Sequence, residues 1–367
     1  MKQSDQNFTT KQQEALDSIR ISRIILPILI GIGVVIFLLI RQFDPEEFQQ
    51  MQWTSRTFLG IGLALILLVI RHLAYSTRLF ILSNREFTFR KCLELIFIWE
   101  FSSAVSPTSL GGSAVAFFVL AQEKLSTAKT ATIVLYTIVL DTAFFVLSIP
   151  ILVAAFGLEI IRPGMESGAD LDGWGYTFIF AYVLMAIYGT VFYLGLFRFP
   201  RRIKQFLVGA TYIRFLRRYR SDAIELGNDM MAASLQLKKQ NWRFHVGSFL
   251  ATVTAWSCRF LILGVLITGF VALIPLDFLT QFALFARLET MFVIIAFSPT
   301  PGGAGFVEVL FGGFLTDYVQ DDTSAIVIST IWRLITYYSY LIAGAIIIPN
   351  WIDQIVRERR RKRAQVS

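Results

Sequence analysis

The sequence predicts an all-α polytopic membrane protein: about six full transmembrane helices plus two re-entrant hairpins of broken helix, arranged as an inverted repeat with both termini in the cytoplasm. Three observations predict it. The chain is 55% hydrophobic and only 16% charged, with a mean hydropathy of +0.60, far from an ordinary soluble domain. Six apolar segments reach the roughly 20 helical residues that a hydrocarbon core requires. A Ser-Pro-Thr run followed by paired glycines occurs twice, as SPTSLGGSA from Ser106 and SPTPGGAG from Ser298, each time inside an apolar stretch. In hydrocarbon a free backbone N–H or C=O is expensive, so irregular backbone survives only where protein buries it or where it lines a polar cavity. The repeated motif therefore predicts a site as well as a fold.

Taken in order, residues 1–21 are a polar cytoplasmic segment, and 22–41 form the first span. No small-residue cleavage site follows that span, so it reads as retained. The acidic loop with DPEE at 44–47 falls outside, 58–82 crosses back, and NREFTFRK at 84–91 falls inside. The apolar region 92–122 is cut by the first motif and forms a hairpin that leaves from and returns to the cytoplasm. Span 128–155 leads to an exterior loop, 157–173, that carries Glu159, Glu166, Asp170 and Asp172. Span 175–197 returns the chain to a long basic cytoplasmic loop, 198–243, and span 244–271 leads out again. The region 279–318, cut by the second motif, forms a hairpin opening to the exterior, where Asp317, Asp321 and Asp322 lie. Span 324–349 brings the RERRRKR tail, within 351–367, back inside. The pieces of each hairpin, roughly 15 to 19 residues, are short for straight spans. Two true spans in place of a hairpin would leave the loop signs unchanged. The organisation expected is one membrane domain, 22–350, with repeat one at 58–155 and repeat two at 244–349.

The net charge of +8 sits in RFPRRIK, RFLRRYR, KKQNWR and the tail, the distribution expected of cytoplasmic loops near anionic lipid rather than of a nucleic-acid binder. Apolar residues among those arginines, Phe206, Leu207, Ile213, Phe215 and Leu216, favour an amphipathic helix anchored in the cytoplasmic interface. Cys92 and Cys258 form no CxxC pair, and His72 and His245 fall in different segments without metal-ligand spacing. Walker and Gly-x-Ser-x-Gly motifs are absent from the sequence, which disfavours an ATP-driven pump. No cofactor or metal is expected.

Charges inside spans are costly and should face a partner or a wet cavity. Arg71, His72, Arg78, Glu100, Asp141, Arg259, Arg287, Glu289, Glu308 and Arg333 are such residues. Arg78, Arg287 and Glu289 either snorkel to an interface or find partners. Asp141 follows Ser106 by 35 residues and Arg333 follows Ser298 by 35, while Arg71 and Arg259 precede their motifs by 35 and 39. Inverted repeats with discontinuous helices and a midplane site are the common design of secondary transporters. The expected substrate-binding set is Arg71, Glu100, Asp141, Arg259, Glu308 and Arg333. Arg259 and Arg333 would receive a phosphate, while Asp141, Glu100 and Glu308 balance or read the headgroup. The plainer alternative makes Asp141 and Arg333 an ion bridge that only locks the repeats. The expected gating elements are Ser106, Pro107, Thr108, Gly111 and Gly112, then Ser298, Pro299, Thr300, Pro301, Gly302, Gly303 and Gly305. There the prolines end one half-helix, and the glycines let backbone approach and start the next, whose N-terminal N–H groups attract anions.

At these residues the chain resembles the lysylphosphatidylglycerol synthase/flippase transmembrane family, the flippase-like domain also found fused to a lipid aminoacylating domain. The match is carried by Pro299-Thr300-Pro301-Gly302-Gly303-Ala304-Gly305 with Glu308, by the span IWRLITYYSYLIAGAI with Arg333, and by Pro107 with Gly111 and Gly112. Where the family often places an arginine or glutamate after the first glycines, this chain has Ala114, Val115, Ala116 and Phe117. The resemblance covers roughly residues 20–350 and implies a lipid-handling membrane domain, without the aminoacyl-transferring activity of the soluble domain. The function expected is that of a flippase-like transporter that moves a phospholipid or polyprenyl-phosphate headgroup between the two hairpins. The alternative is an integral membrane enzyme, or an accessory subunit, acting on such a lipid. Membrane lipids are the expected partners, a homo-oligomer or a separate lipid-modifying enzyme being further ones, and the expected location is the plasma (inner) membrane.

Overall fold

The computed structural model describes residues 46, 49, 53–105, 116, 117, 119–123, 125–297 and 306–364, and no strand occurs among them. The expected first span and both Ser-Pro-Thr/glycine motifs lie outside the described residues. The helices are α1 (Ser55–Leu82), α2 (Phe89–Val105), α3 (Thr127–Phe156), α4 (Gly173–Tyr193), α5 (Pro200–Ala210), α6 (Arg220–Leu237), α7 (Trp242–Phe270), α8 (Phe278–Ile295), α9 (Phe306–Phe314), α10 (Asp322–Arg333) and α11 (Ser339–Ala364). One π-helical turn, Leu194–Arg198, extends α4, and another, Leu334–Tyr338, joins α10 to α11.

Polar residues at the loop-to-helix junctions set where the helices begin. Ser126, Asp172, Asn241, Asp277 and Asp321 each accept a hydrogen bond from a backbone N–H of the first turn, at 2.6–3.2 Å. These caps satisfy donors that a helix start otherwise leaves open. Asp277 and Asp170 lie outside the spans, and backbone and hydroxyl donors hold both carboxyls below the usual aspartate range: Thr280 for Asp277, Ser167 for Asp170.

Among the described residues, six helices are long and apolar enough to cross a membrane: Ser55–Leu82, Thr127–Phe156, Gly173–Arg198, Trp242–Phe270, Phe278–Ile295 and Asp322–Gln354. Five coincide with expected full spans. The other, α8, is the first piece of the expected second hairpin, and its 18 residues suffice in length and composition for a crossing. Outward faces support the assignment. On α1, Phe58, Leu59, Ile66 and Val69 are exposed while Gly60, Ala64, Arg71 and Tyr75 are buried. A helix that turns apolar side chains outward and polar ones inward suits hydrocarbon, not water.

α1 and α7 form the most extensive helix pair and run antiparallel along their whole lengths. Thr57 Oγ1 donates to Gly269 O at 3.0 Å near one end, and Ile81 lies against Gly247 at the other. A Cβ on Gly60 would lie 2.7 Å from Val265 O and 3.2 Å from Gly269 Cα, so only glycine permits this crossing. α8 packs on α3, α4 and α7, while α2 packs on α1 and α11. Pro150 removes a helical N–H inside α3, and Tyr182 Oη on α4 donates to the freed Val146 carbonyl at 3.1 Å.

The basic loop holds more than the one interfacial helix expected. It folds as two packed helices, α5 and α6, and α6 buries Met230, Ala233 and Leu237 against the body. The aromatic and apolar residues Phe206, Ile213 and Phe215 stay exposed. Anchoring to the protein core is thus the job of α6, which the sequence reading did not separate from α5.

Candidate functional site

Two helix faces build a polar centre at the α1–α7 crossing. On α1, Arg71, Tyr75 and Arg78 recur at four- and three-residue spacing and so share a face. On α7, Trp256 and Arg259 do the same. Arg71 donates to Glu100 Oε2 on α2 at 2.6 Å, and its guanidinium stacks over Tyr75 (5.2 Å) and Tyr340 (5.3 Å). Arg78 donates to Asp141 Oδ1 on α3 at 2.5 Å and to Thr252 Oγ1 at 3.2 Å, and it also stacks on Tyr75, at 4.8 Å. Trp256 Nε1 donates to the same Asp141 oxygen at 2.9 Å. Tyr75 therefore lies between two arginine–carboxylate pairs.

Arg259 is different. Its guanidinium stacks on Trp256 at 5.3 Å and on Phe292 at 5.2 Å, its Nε is buried without a hydrogen-bond partner, and no carboxylate pairs with it among the described residues. Glu100 and Arg71 lie within its electrostatic reach. The centre thus combines three guanidinium groups with two carboxylates. The side chains of Glu100 and Asp141 keep 21% and 29% exposure, whereas Arg71 and Arg78 keep 2% and 8%. Arg71 and Arg78 are walled in, whereas the two acids stay partly exposed.

Of the expected substrate-binding set, Arg71, Glu100, Asp141 and Arg259 come together here. Asp141 is bound by Arg78 and Trp256, not by Arg333, so the alternative of an Asp141–Arg333 ion bridge does not form. Arg333 is buried at 2% exposure where α10 ends and the π-helical turn begins, and Tyr337 Oη on that turn donates to Ala104 O at 3.3 Å. A single π turn inside a helix is a frequent companion of functional residues. The backbone of Glu308 begins α9; its side chain, like both motifs, lies outside the described residues. Neither Arg287 nor Glu289 snorkels. Arg287 is buried and donates to Phe314 O at 3.0 Å and Asp317 Oδ1 at 3.3 Å, while Glu289 is fully buried against Ser148. Arg78 is likewise a paired, buried residue. Its partners, together with Tyr75, Tyr340 and Trp256, were missed from sequence, although the shared face of Arg71, Tyr75 and Arg78 was readable from spacing alone.

The histidines have aromatic company. His72 stacks on Phe97 at 4.0 Å with Nδ1 3.3 Å from Tyr340 Oη, and His245 Nδ1 lies 2.7 Å from Tyr136 Oη.

Fold and polar centre together define a multi-pass, all-helical membrane protein with a charged locus enclosed by its spans. The chain belongs to the family described as the lysylphosphatidylglycerol synthase TM region, whose model matches residues 24–344. It is 24% identical over 330 residues to a UPF0104 membrane protein of Archaeoglobus fulgidus, an alignment covering 86% of this chain and 93% of that one. No solved structure matches.

Proposed function

We propose that the protein binds the phosphate-bearing headgroup of a membrane lipid, a phospholipid or a polyprenyl phosphate, and moves it across the plasma membrane past the polar centre. The observation that carries this reading is Arg259, a partly buried guanidinium with no carboxylate of its own among the described residues, beside two arginines that already have theirs. An uncompensated cation within a membrane is expensive unless a ligand completes it. A phosphate accepted by Arg259 has the right charge and the planar, multi-donor geometry that guanidinium offers. Glu100 and Asp141, both partly exposed, then meet the rest of the headgroup. Their pairing with arginines supports binding roles over that of a free general base.

In this reading the two motif regions are re-entrant hairpins, opposed as gates, and 58–155 and 244–349 are inverted repeats. The antiparallel α1–α7 pair supports it, because the first helices of two repeats related by an axis in the membrane plane would run so. Both termini and the loop 198–243 lie in the cytoplasm, as its arginines favour. A homo-oligomer or a separate lipid-modifying enzyme would be a partner outside the site.

The test is movement of a fluorescent anionic phospholipid in proteoliposomes, with Arg259→Gln beside the wild type. Loss of movement and of co-purified lipid in the variant is expected. Unchanged movement would overturn the assignment of Arg259. Single cysteines at Gln240 and Ser167, labelled from one side only, test the orientation: reagent added to the cytoplasmic face should reach the first and not the second.

A further inference from the structure

A second ionisable group sits deep among the spans, apart from the arginine centre. Glu289, on α8, has 0% exposure, and its Oε2 is buried without a hydrogen-bond partner. Among the described residues no cation pairs with it. Arg287 on the same helix turns to Phe314 O and Asp317, and Arg259 on α7 is held by Trp256 and Phe292. From α4 the titratable neighbour is Tyr182, whose hydroxyl is spent on Val146 O. From the turn at Leu158–Ile160 it is a backbone carbonyl, Ile160 O, that reaches α8, and it takes the Thr290 hydroxyl at 2.7 Å. From α9 the described side chains Leu310, Phe311 and Phe314 are apolar. From α3 comes the one polar partner, Ser148, whose Oγ contacts Glu289 Oε1.

The hydrogen inventory of that contact is informative. Ser148 Oγ also lies 2.6 Å from the carbonyl oxygen of Phe144, four residues back on its own helix. A serine hydroxyl has one hydrogen, and a carbonyl oxygen can only accept it. If Ser148 gives its hydrogen to Phe144 O, the contact with Glu289 is a hydrogen bond only when the carboxyl supplies the hydrogen. An ionised Glu289 would instead leave two acceptors competing for one donor, with a buried negative charge facing no cation. Desolvated charge of that kind is the costly case, whereas a neutral acid leaves only one carbonyl-type oxygen unsatisfied.

We propose that Glu289 is a proton-binding site: its carboxyl holds a proton in this conformation, donates it to Ser148 Oγ, and releases it to water when the packing of α8 against α3 and α4 opens. α8 also carries Phe292, the ring that holds Arg259, so a proton taken up or released at Glu289 would be coupled to the arginine centre. The coupling, though not the proton site itself, rests on the transport reading above.

Two measurements on the full-length protein separate the claims. Infrared difference spectra of wild type against Glu289→Gln in bilayers at neutral pH should show a protonated-carboxyl C=O stretch assigned to Glu289, shifted in Ser148→Ala. Absence of that band, with a carboxylate band in its place, would overturn the proton site. In proteoliposomes carrying a labelled anionic phospholipid, an imposed pH gradient should bias the lipid distribution by up to about tenfold per pH unit for one coupled proton. Glu289→Gln should still bind the lipid but lose that bias. An equal bias in wild type and variant would overturn the coupling. If the wild type moves no lipid at all, the transport reading fails while the infrared band still decides the proton site.

Discussion

Arg259→Met separates a residue kept for binding from one kept for stability. A charged side chain at the centre of a span costs about 2.5–3.5 kcal/mol on insertion scales. Arg259 recovers part of this through its two ring contacts, at about 0.5–1 kcal/mol each for a partly exposed cation. The remainder, roughly 0.5–2.5 kcal/mol, is uncompensated, and methionine fills similar space without it. In lipid-free detergent Arg259→Met should therefore be more stable than the wild type by about 1 kcal/mol. Added anionic phospholipid at about a hundred times its Kd should stabilise the wild type by about 2.7 kcal/mol and leave the variant nearly unmoved. The order of stability should thus invert on adding lipid. The assay is reversible unfolding in mixed micelles, with and without lipid, read by tryptophan fluorescence. A variant less stable than the wild type without lipid, or stabilised by lipid to the same degree, would refute the reasoning.

Arg71→Met should behave in the opposite way. It strands Glu100, and breaking a buried pair costs about 3–5 kcal/mol; the residual exposure of Glu100 puts the loss near the lower end, with most of it recovered in the double variant Arg71→Met/Glu100→Gln. Additive losses in the same unfolding assay would show that the pair is not coupled. Gly60→Leu forces a side chain into the backbone of α7, with Val265 O only 2.7 Å from the first added carbon, and should lower stability by more than the roughly 1–3 kcal/mol typical of overpacking. Measured as loss of folded protein on heating in detergent, this should exceed Gly62→Leu, where the added carbon meets nothing within 4 Å. The cap at Asp277 predicts a pH effect with a definite sign. Its folded carboxyl is held below the ordinary value, so the cap is fully present above the unfolded aspartate range near pH 4 and is lost as pH falls through the folded value. Protection of the Thr280 amide against exchange, taken relative to its intrinsic rate at each pH, should fall only on the acid side, and in Asp277→Ala it should be low throughout.

Much of the architecture was legible because hydrocarbon imposes length and composition. The spans 58–82, 128–155, 175–197, 244–271 and 324–349 follow from apolar runs alone and recur in the structure within a few residues. α8 was read as half a hairpin because pieces of roughly 15 to 19 residues are short for straight spans; by length and composition its 18 residues also suffice for a crossing. The polar centre was half legible. The cost of charge in a membrane singles out Arg71, Glu100, Asp141 and Arg259, and these do converge. Their pairing was not readable. Equal spacing from two similar motifs relates Asp141 and Arg333 along the chain, whereas contact depends on which helices cross, and α1 brings Arg78 to Asp141 first. Trp256 escaped because an indole N–H carries no charge to count, although it satisfies Asp141 as directly as the arginine does.

The two buried ionic features solve the same problem in opposite ways. At the α1–α7 crossing, arginines outnumber carboxylates by one among the groups described, and the surplus falls on the residue that has rings rather than acids around it. Ring faces hold a guanidinium in place without neutralising it, so Arg259 is positioned yet remains available to an anion, which a third carboxylate would have prevented. A phosphodiester, with its single negative charge, would bring the described centre to neutrality. At Glu289 the described residues supply one hydroxyl and no cation, so under the proposed reading neutrality there comes from a proton rather than a ligand. α8 touches both sites, through Phe292 under Arg259 and through Glu289 against Ser148, one turn apart on the same helix. A shift of α8 large enough to hydrate Glu289 would therefore also move one of the two rings that hold Arg259. Under the proposed reading, that shared helix is the physical means by which proton release and headgroup release are linked.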